Sequence, residues 1–411
     1  MPKTSWVLGL SLIWKRGSWE WSVESSRSSR PSRDAALRLL GKEMAKLRSA
    51  AQAGQAISSS NTGILACPAC MIFIMFRILM ALSAAGLALG APQNLNIYYI
   101  DVEGGAATLL LTPEGESLLA DVGWRRDDAR DAKRIHEVVT KHAGLKKLDY
   151  LLITHYHMDH VGGLGALAKL LPVGKFLDHG DRVETRPGAD AENWNVYQEL
   201  ARGKRTSFKP GDRIPLKGLE VRVVASHGEK LAQPINGGGP NVALCRDAQR
   251  KNPDPGENAR SLGFLLSWGK FQFLDLGDLS WNQEDELACP QNLVGKVDLY
   301  QVTHHGMDMS GAPQHVWAVE PQVAIMNNGP RKGGTPGFYE VLRKSRGIED
   351  IWQVHLALAT DKDHNTREDM IANLTAEEAC PGHWMKVSVE PNGRYTVTNS
   401  RNGFSKTYTA R

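Results

Sequence analysis

Short aliphatic and β-branched runs, separated by turn residues, dominate the chain from residue 95 onward. Runs of this length bounded by Gly, Pro, Asn and Asp are typical of β-strands. Apolar residues at helical spacing predict helices at about 130–142 and 161–171. Residues 230–260, rich in Gly, Pro and Asn, are predicted to form a long loop. The predicted strands are 96–101, 108–112, 117–122, 148–154, 219–225, 262–268, 271–276, 298–303 and 322–327, followed by a hairpin of 386–390 and 394–398 that turns at Asn392-Gly393.

The first 90 residues have a different pattern. Residues 1–62 are rich in Ser, Arg and Ala with little periodicity, so we expect 1–70 to be a disordered or wrongly assigned N-terminal extension. Residues 71–90 form an apolar run of signal-peptide length behind one positive charge, with Ala88 and Gly90 suited to cleavage. This pattern predicts an exported protein, periplasmic or extracellular, that starts at Met71 or Met75. A membrane anchor is the alternative interpretation of 71–90.

Composition and charge limit what kind of protein the main domain, residues 91–411, can be and which ligands it can bind. With 42% hydrophobic and 23% charged residues, the chain can bury a large core. The whole chain has 49 Lys and Arg against 45 Asp and Glu, a net charge of +4. Residues 1–90 contain 11 of the basic and 4 of the acidic residues. The main domain therefore has 38 basic and 41 acidic residues, a net charge of −3. Long duplex DNA is attracted by a concentrated basic face. The sequence shows no such extended face, and any contact with phosphate must be local.

The main domain contains only three cysteines: Cys245, Cys289 and Cys380. Their spacing does not fit a zinc finger. In an exported chain Cys245 could pair with Cys289, and buried free thiols are the alternative.

The segment 154–160 concentrates three imidazoles and one carboxylate directly after a predicted buried strand. In an extended loop, residues two apart point the same way, so His155 and His157 can hold one ion. Asp159 and His160, on the next turn, then face a neighbouring ion. Imidazole together with carboxylate favours Zn2+ or another divalent transition metal such as Mn2+ over calcium or magnesium. We therefore expect two divalent metal ions.

The motif His-x-His-x-Asp-His after a buried strand resembles the signature of the metallo-β-lactamase superfamily. The segments 101–110, 120–123, 273–278 and 302–306 follow in the order expected. Together they are most similar to the extracellular domain of ComEC-type competence proteins, over roughly residues 96–330. The resemblance implies an α/β fold, the αββα four-layer sandwich of the metallo-β-lactamase type, and a metal-dependent hydrolase.

The resemblance also implies ligands from other strand ends. Asp278 would bridge both ions, and the segment Thr303-His-His-Gly306 would supply one ligand to the second ion. His304 is favoured for that ligand, leaving His305 to line the cleft. His227, after a predicted strand, is either the third ligand of the first ion or a surface-loop residue.

Several further residues match the resemblance. Asp121 corresponds to an aspartate that orients a metal-binding histidine, and Asn258 and Ser261 match a polar element of unassigned role. Arg331 and Lys332 lie in a glycine-rich basic loop where they could hold a phosphate or carboxylate. A solvated turn is the alternative interpretation of this loop. The histidines interpreted as structural are His179, His315, His355, His364 and His383.

Two ions sharing a water molecule lower its pKa toward neutrality and supply a metal-bound hydroxide, with Asp159 placed to shuttle its proton. The resemblance and the basic loop favour a phosphodiester, either a small molecule or an oligonucleotide. Hydrolysis of a β-lactam, lactone or thioester and a non-catalytic metal-binding module stay open as alternatives. Two-iron redox relatives carry a glutamate where His157 stands, which argues against them.

Overall fold

The structure is a computed structural model that describes the backbone of residues 7–15 and 18–26 and all of residues 94–376 and 380–411. The chain divides into two units, Met1–Ala91 and Pro92–Arg411. In the first unit, β1 (Val7–Lys15) and β2 (Ser18–Ser26) pair as an antiparallel hairpin. Residues 71–90 and the rest of 1–70 lie outside the described residues, so their interpretation as leader and extension stays a prediction.

The second unit is built from short strands. In chain order they are β3 (Leu95–Tyr99), β4 (Thr108–Leu111), β5 (Ser117–Ala120), β6 (Leu148–Leu152), β7 (Val173–Asp178), β8 (Arg205–Ser207), β9 (Glu220–Ser226), β10 (Glu229–Lys230), β11 (Gly239–Pro240), β12 (Gly263–Trp268), β13 (Phe271–Asp275), β14 (Gln291–Asn292), β15 (Leu299–Gln301), β16 (Val323–Met326), β17 (Asp350–His355), β18 (Ile371–Asn373), β19 (Met385–Val389), β20 (Arg394–Asn399) and β21 (Ser405–Thr409). Every strand predicted from the sequence has a counterpart here, with ends shifted by one or two residues.

The helices are equally short. In chain order they are α1 (Arg130–Glu137), α2 (Met158–Val161), α3 (Leu164–Leu170), α4 (Ala189–Ala201), α5 (Val242–Cys245), α6 (Trp281–Ala288), α7 (Pro313–Val319) and α8 (Pro336–Arg343). A π-helical stretch, Val138–His142, extends α1 over the predicted range. Within the described part of the chain, none of the helices has both the length and the apolar character needed to cross a membrane.

Two mixed sheets carry the fold. The nine-stranded sheet has the order β21-β20-β19-β3-β4-β5-β6-β7-β8, antiparallel up to β5 and parallel from β5 to β8. The eight-stranded sheet has the order β10-β9-β12-β13-β15-β16-β17-β18, and its strands run parallel from β13 onward. Among the parallel strands, β5 and β16 are buried at every position, which fits their largely aliphatic sequences.

Three apolar clusters define four layers. The first lies between the sheets and joins residues such as Leu110 and Phe273. The second packs the outer face of the nine-stranded sheet against α1, α3 and α4, for example through Leu167. The third packs the other sheet against α6, α7 and α8, for example through Phe338. The order is helix, sheet, sheet, helix, which confirms the predicted αββα sandwich.

The long loop predicted at 230–260 contains only β10, β11, α5 and a single 3-10 turn at Asn258–Arg260. A disulfide between Cys245 and Cys289 ties this loop to the end of α6 across 44 residues. The pairing proposed from the sequence is therefore present, and Cys380 is a buried free thiol.

Candidate metal centre

Four buried side chains converge where the loops of the two sheets meet: Asp159, His160, Asp278 and His305. Each offers one ligand-type atom, and these atoms all lie within 4.8 Å of one another. His160 Nε2 lies 3.2 Å from Asp159 Oδ2 and 3.1 Å from Asp278 Oδ2. His305 Nε2 lies 3.2 Å from each of the same carboxylate oxygens. The loops after β6, β13 and β15 thus bring together groups that are up to 146 residues apart in sequence.

His155 and His157 form a second group beside this cluster. Nε2 of His155 and Nδ1 of His157 are 3.1 Å apart, and the two rings are nearly perpendicular. The ring centroid of His155 is 4.0 Å from that of His160. The structure therefore places the two halves of the His-x-His-x-Asp-His motif at neighbouring positions.

Hydrogen bonds on the outer ring nitrogens fix the orientation of the imidazoles. Asp121 Oδ2 lies 2.6 Å from His160 Nδ1, and the same carboxylate accepts from the amide and hydroxyl of Thr154 at 2.8 and 2.7 Å. The Asn327 carbonyl oxygen lies 3.3 Å from His305 Nδ1. Both imidazoles consequently present Nε2 to the carboxylates of the cluster, as oriented metal ligands do.

His304 and His305 both face the centre although they are adjacent in sequence. Their φ angles of 53° and 55° lie in the left-handed region, which reverses the usual alternation of side chains. His304 Nε2 lies 3.4 Å from Asp278 Oδ2. Its Nδ1 is 3.1 Å from the hydroxyl of Ser310, which donates to a main-chain carbonyl and so accepts from the ring. His305 belongs to the compact cluster, whereas His304, favoured from the sequence, contacts Asp278 alone among the cluster's carboxylates.

The charges suit metal binding. Burial opposes ionisation of Asp278, yet the neighbouring imidazoles His160 and His305 hold its pKa well below its ordinary value. The pKa of Asp159 is likewise held well below its ordinary value, despite burial, by His160, His305 and Lys332. Burial lowers the pKa of His304 to about 4. Two carboxylates are therefore ionised at neutral pH. Despite burial, Asp278, Asp159 and Asp121 raise the pKa of His160 well above its ordinary value, so a metal ion bound at this imidazole has to displace a proton.

The two basic residues predicted to meet substrate have different surroundings. Lys332 Nζ contacts Asp159 Oδ2 and lies 5.0 Å from the centroid of the Trp124 ring. Arg331 is exposed to solvent. The loop after β16 thus brings one cation directly to the cluster.

His227 lies at the exposed end of β9. Its Nδ1 is 3.3 Å from Nδ1 of His179, and the two rings stack with centroids 5.5 Å apart. It is not a member of the compact cluster. Its assignment as the third ligand of the first ion stays a prediction.

Two glutamates that the sequence analysis did not single out hold the His155–His157 turn. Glu184 Oε1 lies 3.2 Å from His157 Nε2. Glu257 Oε2 accepts from the amide of Tyr156 at 3.2 Å and lies 3.1 Å from Nε2 of the buried His179. Both glutamates lie in loops that are distant in sequence from the histidine motif and belong to no motif themselves. The polar element that includes Asn258 was the only sequence feature close to either of them.

That polar element reaches the centre through Ser261, whose hydroxyl accepts from the amide of Asp278 at 3.2 Å. Asn258, three residues before Ser261, is buried, and its Oδ1 has no hydrogen-bond partner among residues 94–376 and 380–411. Ser261 thereby fixes the start of the loop that carries the predicted bridging carboxylate.

A second group of ligand-type side chains lies apart from this centre and comprises Asp101, Glu103, His355 and Cys380. His355 Nε2 is 2.8 Å from Asp101 Oδ1. Arg134 enters the group, with Nη1 2.7 Å from Asp101 Oδ2, and Arg130 pairs with Glu103 at 2.6 Å. Because guanidinium groups already neutralise these carboxylates, the group is explained as a buried ion-pair network.

The donor set decides which centre fits a metal. Imidazole nitrogens and ionised carboxylates, with the outer ring nitrogens satisfied by protein groups, suit divalent transition metals. Asp159, His160, Asp278 and His305 would hold one ion, and His155 and His157 would supply ligands to its neighbour. Residues 101–235, which include the whole His-x-His-x-Asp-His motif, match the model of the family described as the metallo-beta-lactamase superfamily.

Over these residues the chain is similar to a metallo-β-lactamase domain.

The chain is similar to parts of two longer bacterial proteins. It is 24% identical to Recombination protein 2 of Haemophilus influenzae over 275 residues, which are 66% of this chain and 28% of that protein. It is 24% identical to ComE operon protein 3 of Bacillus subtilis over 194 residues, 45% of this chain and 20% of that protein. The chain therefore aligns with less than a third of the length of either protein. These relatives confirm the resemblance found in the sequence.

A third relative of the chain is Ribonuclease Z of Methanopyrus kandleri, 32% identical over 124 residues. The aligned part is 29% of this chain and 39% of that protein. The family model ends before Asp278 and His305, and the fold brings these residues to the matched motif.

Proposed function

We propose that this chain is a dinuclear metal-dependent hydrolase that acts on phosphodiesters. The observation that carries the proposal is the convergence of Asp159, His160, Asp278 and His305, with ligand-type atoms within 4.8 Å, beside His155 and His157. A pair of divalent ions bound there would activate water near neutral pH and polarise a phosphoryl oxygen.

The protein groups supply orientation and charge. Asp121 holds His160, and Ser310 holds His304, so neither imidazole has to reorient on binding. Asp159 is ionised at neutral pH and lies at the edge of the cluster, where it can accept a proton from an attacking water molecule. Lys332, in contact with Asp159, provides a cation for a substrate oxygen.

The phosphodiester assignment rests on the Lys332 ammonium and on the relatives. A cation at the cluster favours an anionic substrate over a neutral lactam or lactone. One relative is named a ribonuclease, and phosphodiester bonds are what a ribonuclease cleaves. We propose Zn2+ or Mn2+ as the metal because the donors mix imidazole with carboxylate.

The proposed location is outside the cytoplasm. The Cys245–Cys289 disulfide supports it, because disulfides persist mainly in oxidising compartments.

The test is to load the full chain with Zn2+ or Mn2+, to measure bound metal, and to assay four substrates. These are bis-p-nitrophenyl phosphate, a single-stranded oligonucleotide, nitrocefin and a simple lactone. We expect turnover of the first two, abolished by Asp278→Asn and retained in the matched surface control Asp363→Asn. Turnover restricted to nitrocefin or the lactone would reassign the substrate. Inactivity on all four with one or no bound ion would instead identify a binding module.

A further inference from the structure

A pocket of about 550 Å³ lies beside the metal centre, between the loop that precedes α1 and the helices α3 and α4. Its lining includes Trp124, Lys133, Leu170 and Val196. Pockets of this volume accommodate small organic ligands of about the size of a nucleotide.

Cations dominate the polar lining of the pocket. The lining cations are Arg125, Arg126, Lys133 and Lys169, and the lining carboxylates are Asp127 and Glu192. Arg125 is paired with Glu192 at 2.6 Å. Between residues 94 and 411, leaving out 377–379, the other three cations have no carboxylate oxygen within 4 Å and are exposed. Three positive charges in one pocket therefore stay available to an anion.

The same pocket contains aromatic and apolar surface. Arg126 lies over the Trp124 ring, 5.5 Å from its centroid. Leu170 and Val196 expose 41% and 37% of their surface, which is unusual for apolar side chains of this domain. Proteins that bind single-stranded nucleic acids combine cations along the backbone with aromatic and apolar surface for the bases.

Trp124 connects the pocket to the metal centre. The ammonium of Lys332 lies 5.0 Å from the centroid of the Trp124 ring and contacts Asp159. The pocket residues 161–163 directly follow His160 in sequence. The pocket thus shares Trp124 and the segment that follows His160 with the surroundings of the cluster.

From this arrangement we propose that the pocket is a subsite for a nucleotide adjoining the scissile phosphodiester of a single-stranded nucleic acid. The base lies against Trp124 and Leu170, and the backbone phosphates contact Arg126, Lys133 and Lys169. The inference rests on the proposed phosphodiesterase function and specifies its substrate. It also fits the absence of an extended basic face in the sequence, because the cations form one local group.

The test measures binding directly, by fluorescence anisotropy of a fluorescein-labelled ten-nucleotide oligothymidylate with phosphorothioate linkages, on the metal-loaded full chain. The triple variant Arg126→Ala, Lys133→Ala, Lys169→Ala should bind at least tenfold more weakly. The slope of log affinity against log salt should become shallower by about 2, since each phosphate contact on a single strand contributes roughly 0.7. The matched control Lys175→Ala, Arg202→Ala, Lys204→Ala removes one Arg and two Lys outside the pocket and should bind as the wild type does.

The outcomes separate the subsite from the hydrolase. Equal affinity in the pocket variant and its control would overturn the subsite, whatever the activity on bis-p-nitrophenyl phosphate. Loss of affinity for phosphatidylglycerol vesicles, with oligothymidylate binding unchanged, would assign the pocket to lipid and also overturn it. Selective loss of oligothymidylate binding supports the subsite even if no phosphodiester is cleaved.

Discussion

Glu184 Oε1 lies 3.2 Å from Nε2 of His157, on the side of the ring opposite to the nitrogen that faces His155. A carboxylate on Nε2 favours the tautomer that carries its proton there, which leaves the lone pair of Nδ1 directed at the neighbouring histidine. Glu184 also accepts from the amide of Glu257 at 3.2 Å, so its own position is fixed by a second loop. His157, a predicted metal ligand, is therefore oriented by a residue outside the His-x-His-x-Asp-His motif.

Replacing Glu184 by Ala should weaken the binding of one metal equivalent by about 10- to 100-fold, the usual effect of losing a partner of a ligating histidine. The other equivalent, held by the compact cluster, should keep its affinity. Competition with a chromogenic chelator measures both. Glu199→Ala, an exposed carboxylate on α4, is the control, and two wild-type affinities in the Glu184 variant would refute the assigned role.

The two adjacent histidines should differ in their effect on metal content. His305→Ala removes a member of the compact cluster and should lose its ion, whereas His304→Ala should retain it with a smaller fall in affinity. Metal analysis after saturation and desalting measures the stoichiometry. The reverse order would restore His304 as the ligand favoured from the sequence.

Burial raises the pKa of Glu284 to about 7, above its ordinary value of 4.5, although it accepts from the amides of Gly311 and Ala312. The folded protein then holds a proton that the unfolded chain releases between pH 4.5 and 7. Stability from this group is complete below pH 4.5 and is lost as the pH rises through 7, by up to about 3 kcal/mol.

Glu284→Gln keeps the two accepted hydrogen bonds and removes the charge. Urea unfolding between pH 5 and 8 should show a smaller fall in stability for this variant than for the wild type. Glu286→Gln, on the same helix, should keep the wild-type slope because the pKa of Glu286 is lowered, with the salt-bridge partners Lys230 and Arg250 outweighing its burial. Identical slopes for Glu284→Gln and the wild type would contradict the prediction.

The disulfide should contribute to stability by closing a loop of 44 residues in the unfolded chain. Loop-closure entropy for this length predicts a loss of roughly 4 kcal/mol on removing it. Urea unfolding of Cys245→Ser, Cys289→Ser measures the loss, and wild-type protein in reducing agent should shift by the same amount. A reducing agent that leaves the unfolding midpoint of the wild type unchanged would count against the bond.

Much of the fold was predictable because most central strands are aliphatic runs bounded by turns, and because the histidine motif spans six consecutive residues. The strands β7, β8, β17, β18 and β21 were not predicted. The exclusive choice between His304 and His305 could not be made from spacing, since it depends on two successive left-handed residues. Glu184 and Glu257 could not be predicted either, because their partners lie 27 and 101 residues away in sequence. Loops that meet across the sandwich are distant in sequence, so the contacts between them leave no local pattern in the sequence.

The place of β19 in the nine-stranded sheet has a consequence for how the protein is made. β19 pairs with β3, so that Val387 lies opposite Ile97, and the central core cannot close until residues 385–389 have been synthesised. Pairings across so many residues are slow to form. A ribosome-released fragment that stops before residue 385 would leave one side of β3 unpaired, and such open edges promote aggregation.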